Sequence, residues 1–315
     1  MERSDHFDGR RFFNPDGLAA QPLSAAPRML RDPRTPWPAR VDTPPRQPAP
    51  LDGAAAVVTF IGHATFLIQT AAGNILTDPM YSQRASPLHF AGPRRVRQPA
   101  VRFDDLPPIS LVLLSHNHYD HCDLGTLRML AQRFDPIVIT PLGNGALVRS
   151  AGIRRVEELD WWQAATTSQL PITLTPAHHF SARGPFDRNR ALWGGFMLRV
   201  GRRTVFFAGD SAYSGLFSKV RQRLGPIVLA LLPIGAYEPR WFMQSVHMNP
   251  AEAVQAHLDL ESPQSIGMHF GTFQLTTEGI DEPLRALDTA RRAHDIPSSA
   301  FSTLPFGGSM RLEPV

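Results

Sequence analysis

Leu111-Val112-Leu113-Leu114-Ser115-His116-Asn117-His118-Tyr119-Asp120-His121 runs from an uninterrupted apolar stretch straight into a cluster of metal-ligating side chains. An apolar run with no polar alternation reads as a strand buried on both faces. The histidines and the aspartate then fall on the loop that leaves it. Zinc takes imidazole nitrogen and carboxylate oxygen at about 2.0–2.2 Å. Residues two apart in an extended segment point the same way, so His116 and His118 can grip one ion. After the chain turns, Asp120 and His121 can reach a second.

The ends of other apolar runs carry complementary ligands. Residues 172–175 lead to His178-His179, residues 204–208 to Gly209-Asp210, and residues 265–268 to His269. Taken singly these are weak signals, because an aspartate after glycine is usually a turn residue and a lone histidine a satisfied polar group. Together they describe loops converging on one site at the strand ends of a sheet protein.

Around these lie further strand candidates at 57–61, 65–69, 74–77, 137–140 and 227–232, the first three forming a meander with turns at 62–63 and 71–73. Helices are predicted over 124–134, capped by Asp123, and over 250–260. In the second, Asn249 is the cap, Pro250 takes the first turn and Glu252 closes a capping box. This mixture predicts an α/β architecture with sheets covered by helices. Residues 1–52 are different: prolines recur from Pro15 and Pro22 to Pro50 with little apolar periodicity. Proline fixes φ and lacks an amide donor, so this reads as an extended arm packed on the body, with Phe12, Phe13 and Trp37 as anchors. Residues 53–315 are expected to form the catalytic domain.

Composition narrows the rest. The 315-residue chain is 43% hydrophobic and 19% charged, with a formal net charge of +4, as expected for a folded protein with a core of normal size. Basic groups are spread along the chain rather than blocked, so no nucleic-acid partner is expected. Cys122 is the sole cysteine; no intrachain disulfide can form, and the residue reads as small apolar packing. No apolar run approaches the roughly 20 residues that span a bilayer. The charged N-terminus lacks the apolar stretch of a secretory signal. The expected location is the cytoplasm, with peripheral contact at the inner membrane as the alternative.

The order His-x-His-x-Asp-His, then His, Asp and His, resembles the metallo-β-lactamase superfamily. Segments at 6–15, 61–66, 76–79, 92–95, 115–121 and 207–211 add to the likeness. Two more narrow it to the branch containing N-acylphosphatidylethanolamine-hydrolysing phospholipase D. They are Gly235-Ala236-Tyr237-Glu238-Pro239-Arg240-Trp241-Phe242-Met243 and His269-Phe270-Gly271-Thr272-Phe273. The resemblance implies a four-layer αββα sandwich. It also implies His116, His118 and His179 on a first zinc, Asp120, His121 and His269 on a second, and Asp210 bridging the two. His179 is selected over His178 because it precedes an aromatic residue, Phe180. Iron-based relatives carry an acidic residue where His118 stands, so the expected cofactor is two zinc ions, although ligand type alone leaves iron and manganese open.

The implied activity is a phospholipase D-type phosphodiesterase acting on N-acylphosphatidylethanolamine-like lipids through a metal-bridging hydroxide. The alternative is a lactonase or other carbonyl-directed hydrolase using the same metals. A nuclease would need an added domain that this chain lacks, and a non-catalytic scaffold would be expected to have lost ligands. Asp120, Asp210 and His247 are the candidate catalytic residues. Arg183, Arg188 and Arg240 are candidates for holding phosphate, against surface salt bridging. Trp161-Trp162 and Trp241-Phe242 read as packing before substrate contact, His257 as a core histidine, and His63 as support behind the site. A homodimer is implied by the resemblance, and the expected partner is a phospholipid or another small molecule.

Overall fold

The computed structural model describes residues 3–15, 20–29 and 31–314. Its strands are β1 (Ala56–Gly62), β2 (Thr65–Thr70), β3 (Gly73–Thr77), β4 (Ile109–Leu113), β5 (Ile137–Pro141), β6 (Arg155–Leu159), β7 (Ile172–Thr175), β8 (Gly195–Val200), β9 (Arg203–Phe207), β10 (Leu229–Pro233), β11 (Gln264–Met268), β12 (Phe301–Ser302) and β13 (Ser309–Leu312). The helices are α1 (Ala26–Met29), α2 (Leu124–Arg133), α3 (Gly145–Ser150), α4 (Leu216–Leu224), α5 (Arg240–Met243), α6 (Pro250–Asp259) and α7 (Glu282–Ala293).

Alternation along β4 shows how the layers stack. Leu111 and Leu113 join a core cluster with Phe60, Phe66, Ile68, Phe196 and Leu231, from both sheets. Val112 and Leu114 join another with Leu67, Leu76, Leu127, Leu130 and Val148, which includes the apolar faces of α2 and α3. Both faces of the strand are therefore covered, and that is why its sequence has no polar alternation. Phe217, Val220, Val254, Ala256 and Leu287, from α4, α6 and α7, cover the other sheet. The result is the four-layer αββα sandwich that the resemblance implied.

One sheet has the order β13-β1-β2-β3-β4-β5-β6 and the other β12-β11-β10-β9-β8-β7. Strands β3 to β6 are mutually parallel, as are β9 to β12, while β1–β2, β2–β3, β7–β8 and β8–β9 are antiparallel. It follows that β1, β3 and β4 run one way in the first sheet, and β7, β9, β10 and β11 run one way in the second. The C-terminal ends of these strands meet at a single rim, where loops can carry polar side chains without burying unpaired backbone.

Both predicted helices form. Asp123 accepts from the Gly125 amide at the start of α2. Asn249 and Glu252 close a capping box on α6. Strand β6 was not foreseen, because Glu157 and Glu158 give this edge strand a charged reading. Residues 1, 2, 16–19 and 30 of the proline-rich stretch lie outside the described residues. The described part runs over the body: Phe12 is buried, the His6 ring stacks on Trp161 at 4.3 Å, and Trp37 Nε1 donates to the Glu278 carbonyl at 2.8 Å. Phe13 departs from the expected anchoring role, since it is 38% exposed. Among the described residues no helix is long and apolar enough to cross a membrane.

Candidate metal centre

Each loop at the common rim delivers one part of the site. The segment after β4 brings His116, His118, Asp120 and His121; the ends of β7, β9 and β11 bring His179, Asp210 and His269. These converge although up to 153 residues separate them in the chain, from 116 to 269. His116 Nε2 lies 2.9 Å from His118 Nδ1, which is 3.2 Å from His179 Nε2. His269 Nε2 is 3.2 Å from His121 Nε2, and Asp120 Oδ2 is 3.4 and 3.5 Å from these two nitrogens. Asp210 Oδ2 sits between the groups. It is 3.0 Å from His121 Nε2, 3.2 Å from His269 Nε2, 3.8 Å from His116 Nε2 and 3.9 Å from His179 Nε2.

Hydrogen bonds on the far side of the rings decide what those close contacts are. The Ser115 hydroxyl donates to Asp78 Oδ2 at 2.5 Å and is therefore free to accept from His116 Nδ1 at 2.8 Å. His179 Nδ1 donates to the Val246 carbonyl, and His121 Nδ1 to Asp78 Oδ2, at 2.8 and 2.7 Å. The network thus assigns a ring proton to Nδ1 in all three. Burial keeps His116 and His179 neutral, so each turns a bare Nε2 lone pair inward, while at His121 burial is outweighed by the Asp210, Asp120 and Asp78 carboxylates, which hold it well above its ordinary value. The His116 and His179 lone pairs and the Asp210 oxygen, 3.8 and 3.9 Å apart, repel one another unless a cation lies between them. Donor atoms about 3.4 Å apart also match the edges of a tetrahedral ion with bonds of about 2.1 Å. The donor set fits divalent metal, with outer partners holding the rings as they do in metal sites generally.

The electrostatics follow from burial and crowding. Burial, with His179 nearby, pushes His118 down to about 3, and burial lowers His179 to about 4. His116 falls well below its ordinary value for the same reasons. Burial also opposes charge on His269, but the Asp210 and Asp120 carboxylates outweigh it and raise the group to about 9. Asp120 and Asp210 are likewise buried, yet the surrounding imidazoles hold both well below the usual carboxylate range. The His116–His118–His179 cluster is consequently built of neutral donors, and the other pairs imidazole with negative charge.

His247 stands at the edge of the cluster. Its Nε2 is 3.8 Å from Asp210 Oδ2, and its ring centre is 5.1 Å from that of His179 and 5.2 Å from that of His269. His178 is placed apart, lining a cavity with Trp161 and Trp162 rather than joining the donor cluster. His63 faces Asp120 from the β1–β2 turn, with Nε2 3.0 Å from Oδ2. Burial, aided by the neighbouring His269, pushes its ring down to about 3.

The structure gives each of the three candidate arginines partners of its own. Arg183 Nη1 donates to the carbonyls of Asn117 and Cys122, both at 2.8 Å, and so clasps the metal-ligand loop. Arg188 donates to the Ala20 carbonyl. Arg240 pairs with both oxygens of Glu252 and donates to the His247 carbonyl. Arg240 thus takes the salt-bridging alternative, while Arg183 and Arg188 donate to backbone carbonyls. Trp241 is covered by the arm, with Arg28 over its ring at 4.3 Å and Asp32 accepting from its Nε1. His257 is a core histidine held by Ser265, and Cys122 is fully buried, its thiol pushed up to about 12 by burial. Sequence reasoning gave no role to Asp78, which takes the Ser115 amide, the Ser115 hydroxyl and His121 Nδ1. Its place after an apolar run, like that of Asp210, was the available signal. Asn14 was also missed: its Nδ2 donates to the carbonyl of His179.

Residues 73–270 match the family model described as the beta-lactamase superfamily domain. The chain belongs to that superfamily and is a metal-dependent hydrolase, on the branch that includes N-acylphosphatidylethanolamine-hydrolysing phospholipase D. Over 79% of this chain and 74% of the relative, it is 38% identical to "N-acyl-phosphatidylethanolamine-hydrolyzing phospholipase D 1" of Caenorhabditis elegans. It is 37% identical to an uncharacterised protein of Mycobacterium tuberculosis, over 86% and 76% of the two chains. Among solved structures, isothiocyanate hydrolase from Delia radicum gut bacteria superposes with a TM-score of 0.66 at 21% identity, covering 81% of this chain and 98% of that one. This last likeness concerns the fold alone.

Proposed function

We propose that this protein is a binuclear zinc phosphodiesterase that cleaves N-acylphosphatidylethanolamine-like lipids in the manner of a phospholipase D. The observation that carries the reading is Asp210 Oδ2, set between two groups of three donors and within 3.9 Å of nitrogens from both. His116, His118 and His179 would hold one ion, Asp120, His121 and His269 the other, and Asp210 both. The imidazole-rich set suits zinc. Bound there, divalent ions would lower the pKa of a coordinated water and screen charge on a phosphoryl group.

The chain's own groups position and move protons. Asp120 and Asp210, kept ionised by their imidazole neighbours, orient the attacking water and accept its hydrogen bond. The water's oxygen bonds to phosphorus, the phosphorus–oxygen bond to the ethanolamine side breaks, and the departing oxygen takes up a proton. His247, buried beside Asp210, is the residue placed to pass that proton on.

Two observations support a lipid substrate. The relative from Caenorhabditis elegans is named for that lipid. A cavity of about 610 Å³ opens beside the metal-ligand loop, lined by Pro87, Leu88, Tyr119, Leu124 and Arg183. Leu88, Phe90 and Phe186, at 46, 67 and 82% exposure, lie on two of the segments that contribute to it. Exposed apolar tips of this kind suit contact with a lipid surface.

The test is product analysis by mass spectrometry after zinc-loaded protein meets N-acylphosphatidylethanolamine in mixed micelles, with Asp120→Asn as the control. Phosphatidic acid from the native protein alone is the expected result. No product from protein shown to hold two metals would remove the lipid assignment, and hydrolysis of a lactone instead would move the electrophile to a carbonyl.

A further inference from the structure

His63 belongs to none of the assigned donors, yet it touches more of the site than its place in a β-turn requires. Its φ of +58° is a left-handed conformation uncommon for residues other than glycine. The turn aims its ring at Asp120, with Nε2 3.0 Å from Oδ2. The same ring packs on His269, centres 4.0 Å apart, and meets the edge of Phe273 at 5.3 Å. Its backbone is equally engaged: the amide donates to Thr272 Oγ1 at 3.1 Å and the carbonyl accepts from the His269 amide at 2.8 Å. One residue therefore touches the side chain of one donor and the backbone of another.

We propose that His63 is a positioning residue for the Asp120–His121–His269 half of the centre, donating its Nε2 proton to Asp120 Oδ2 and holding His269 in place through its own carbonyl. The proposal rests on the reading that this half binds an ion, but not on the identity of the substrate. With Asp120 Oδ2 bonded on one side by His63, the remaining lone pair of that oxygen is directed towards His121 and His269. The alternative is that His63 is itself a ligand, since its nitrogen lies in one group with Asp120, His121 and His269. Contact geometry separates the two: His63 Nε2 meets the carboxylate of Asp120 alone, whereas His121 and His269 each meet those of both Asp120 and Asp210. His63 Nδ1 is buried without a hydrogen-bond partner among the described residues. If Nε2 carries the proton, Nδ1 is an unsatisfied acceptor.

The experiment titrates the metal-free full chain with zinc against a competing chelator, and with cobalt to read ligand-field spectra. Native protein taking up two ions is the prior check on the metal reading; uptake of fewer would overturn that reading, and the proposal with it. The test variants are His63→Asn, which tolerates the left-handed backbone but is too short to reach Asp120, and His63→Gln, whose amide restores a donor. The expected result is that His63→Asn binds one of its two ions about 10–100-fold more weakly and the other as the native protein does, while His63→Gln recovers most of the loss with native cobalt bands. Native affinity for both ions in His63→Asn would overturn the proposal. So would equal weakening of both, or altered cobalt bands and no recovery in His63→Gln, the last of these making His63 a ligand. Circular dichroism of each metal-free variant separates these outcomes from a failure to fold, and if His63→Gln does not fold, the selective loss in His63→Asn decides alone.

Discussion

Replacing Asp78 by asparagine tests whether the metal loop is held from behind as its hydrogen bonds indicate. The side chain is fully buried, and its two oxygens receive three donors: the Ser115 amide at 2.7 Å, the Ser115 hydroxyl at 2.5 Å and His121 Nδ1 at 2.7 Å. Asparagine keeps one acceptor oxygen and sets an NH2 group where the other stood. Keeping the bond to the Ser115 amide makes the new NH2 face both the hydroxyl and His121 Nδ1. The Ser115 hydroxyl cannot turn to His116 Nδ1 for relief, because that nitrogen is already a donor to it. Two buried donors are then left unsatisfied at about 1–3 kcal/mol each, so the loss of stability should be about 4 kcal/mol. That is a large part of the 5–15 kcal/mol typical of a folded domain. The assay is urea unfolding of chelated native and variant protein, with zinc competition run separately. His121, no longer oriented, should also weaken metal binding about 10–100-fold. A stability change below about 1 kcal/mol together with native zinc affinity would refute the account of Asp78 as the anchor of this loop.

Two further outcomes follow from particular side chains. Cys122 is fully buried with its thiol pushed up to about 12, so a disulfide reagent at pH 8 should leave the native protein untouched and react promptly once urea unfolds it; rapid native labelling would contradict the buried placement. The sign of the linkage is that the folded state holds this proton more tightly than the unfolded chain, so its contribution to stability is lost as pH rises from 9 through about 12. Phe90→Ser and Phe186→Ser change exposed tips and should leave stability within about 0.5 kcal/mol. Both should slow hydrolysis of lipid in vesicles without altering turnover of a soluble phosphodiester, and an equal effect on both substrates would argue against lipid contact.

What was legible in the sequence, and what was not, divides along the difference between local and long-range chemistry. The run from Leu111 to His121 needed no structure to be read, because strand burial on both faces and ligand spacing are local properties of the chain. The capping residues Asp123, Asn249 and Glu252 were legible for the same reason, and so were the apolar runs that became β1 to β5. Membership of the branch rested on strings such as those at 235–243 and 269–273. The choice of His179 over His178 came from the following phenylalanine and agrees with the placement of His179 in the donor cluster.

Tertiary structure alone decided everything that depends on which loops meet. The direction of each strand brings the loops after β1, β3, β4, β7, β9 and β11 to one rim, and no pairing pattern is written in a strand's own residues. For Arg183, Arg188 and Arg240 only the fold shows which partners they take: the carbonyls of Asn117, Cys122, Ala20 and His247, and the Glu252 carboxylate. Asp78 and His63 gained their meaning in the same way. A hydrogen bond joins atoms about 3 Å apart whatever their separation in the chain, and here the Ser115 amide that Asp78 holds lies 37 positions away and the Thr272 hydroxyl that holds His63 lies 209.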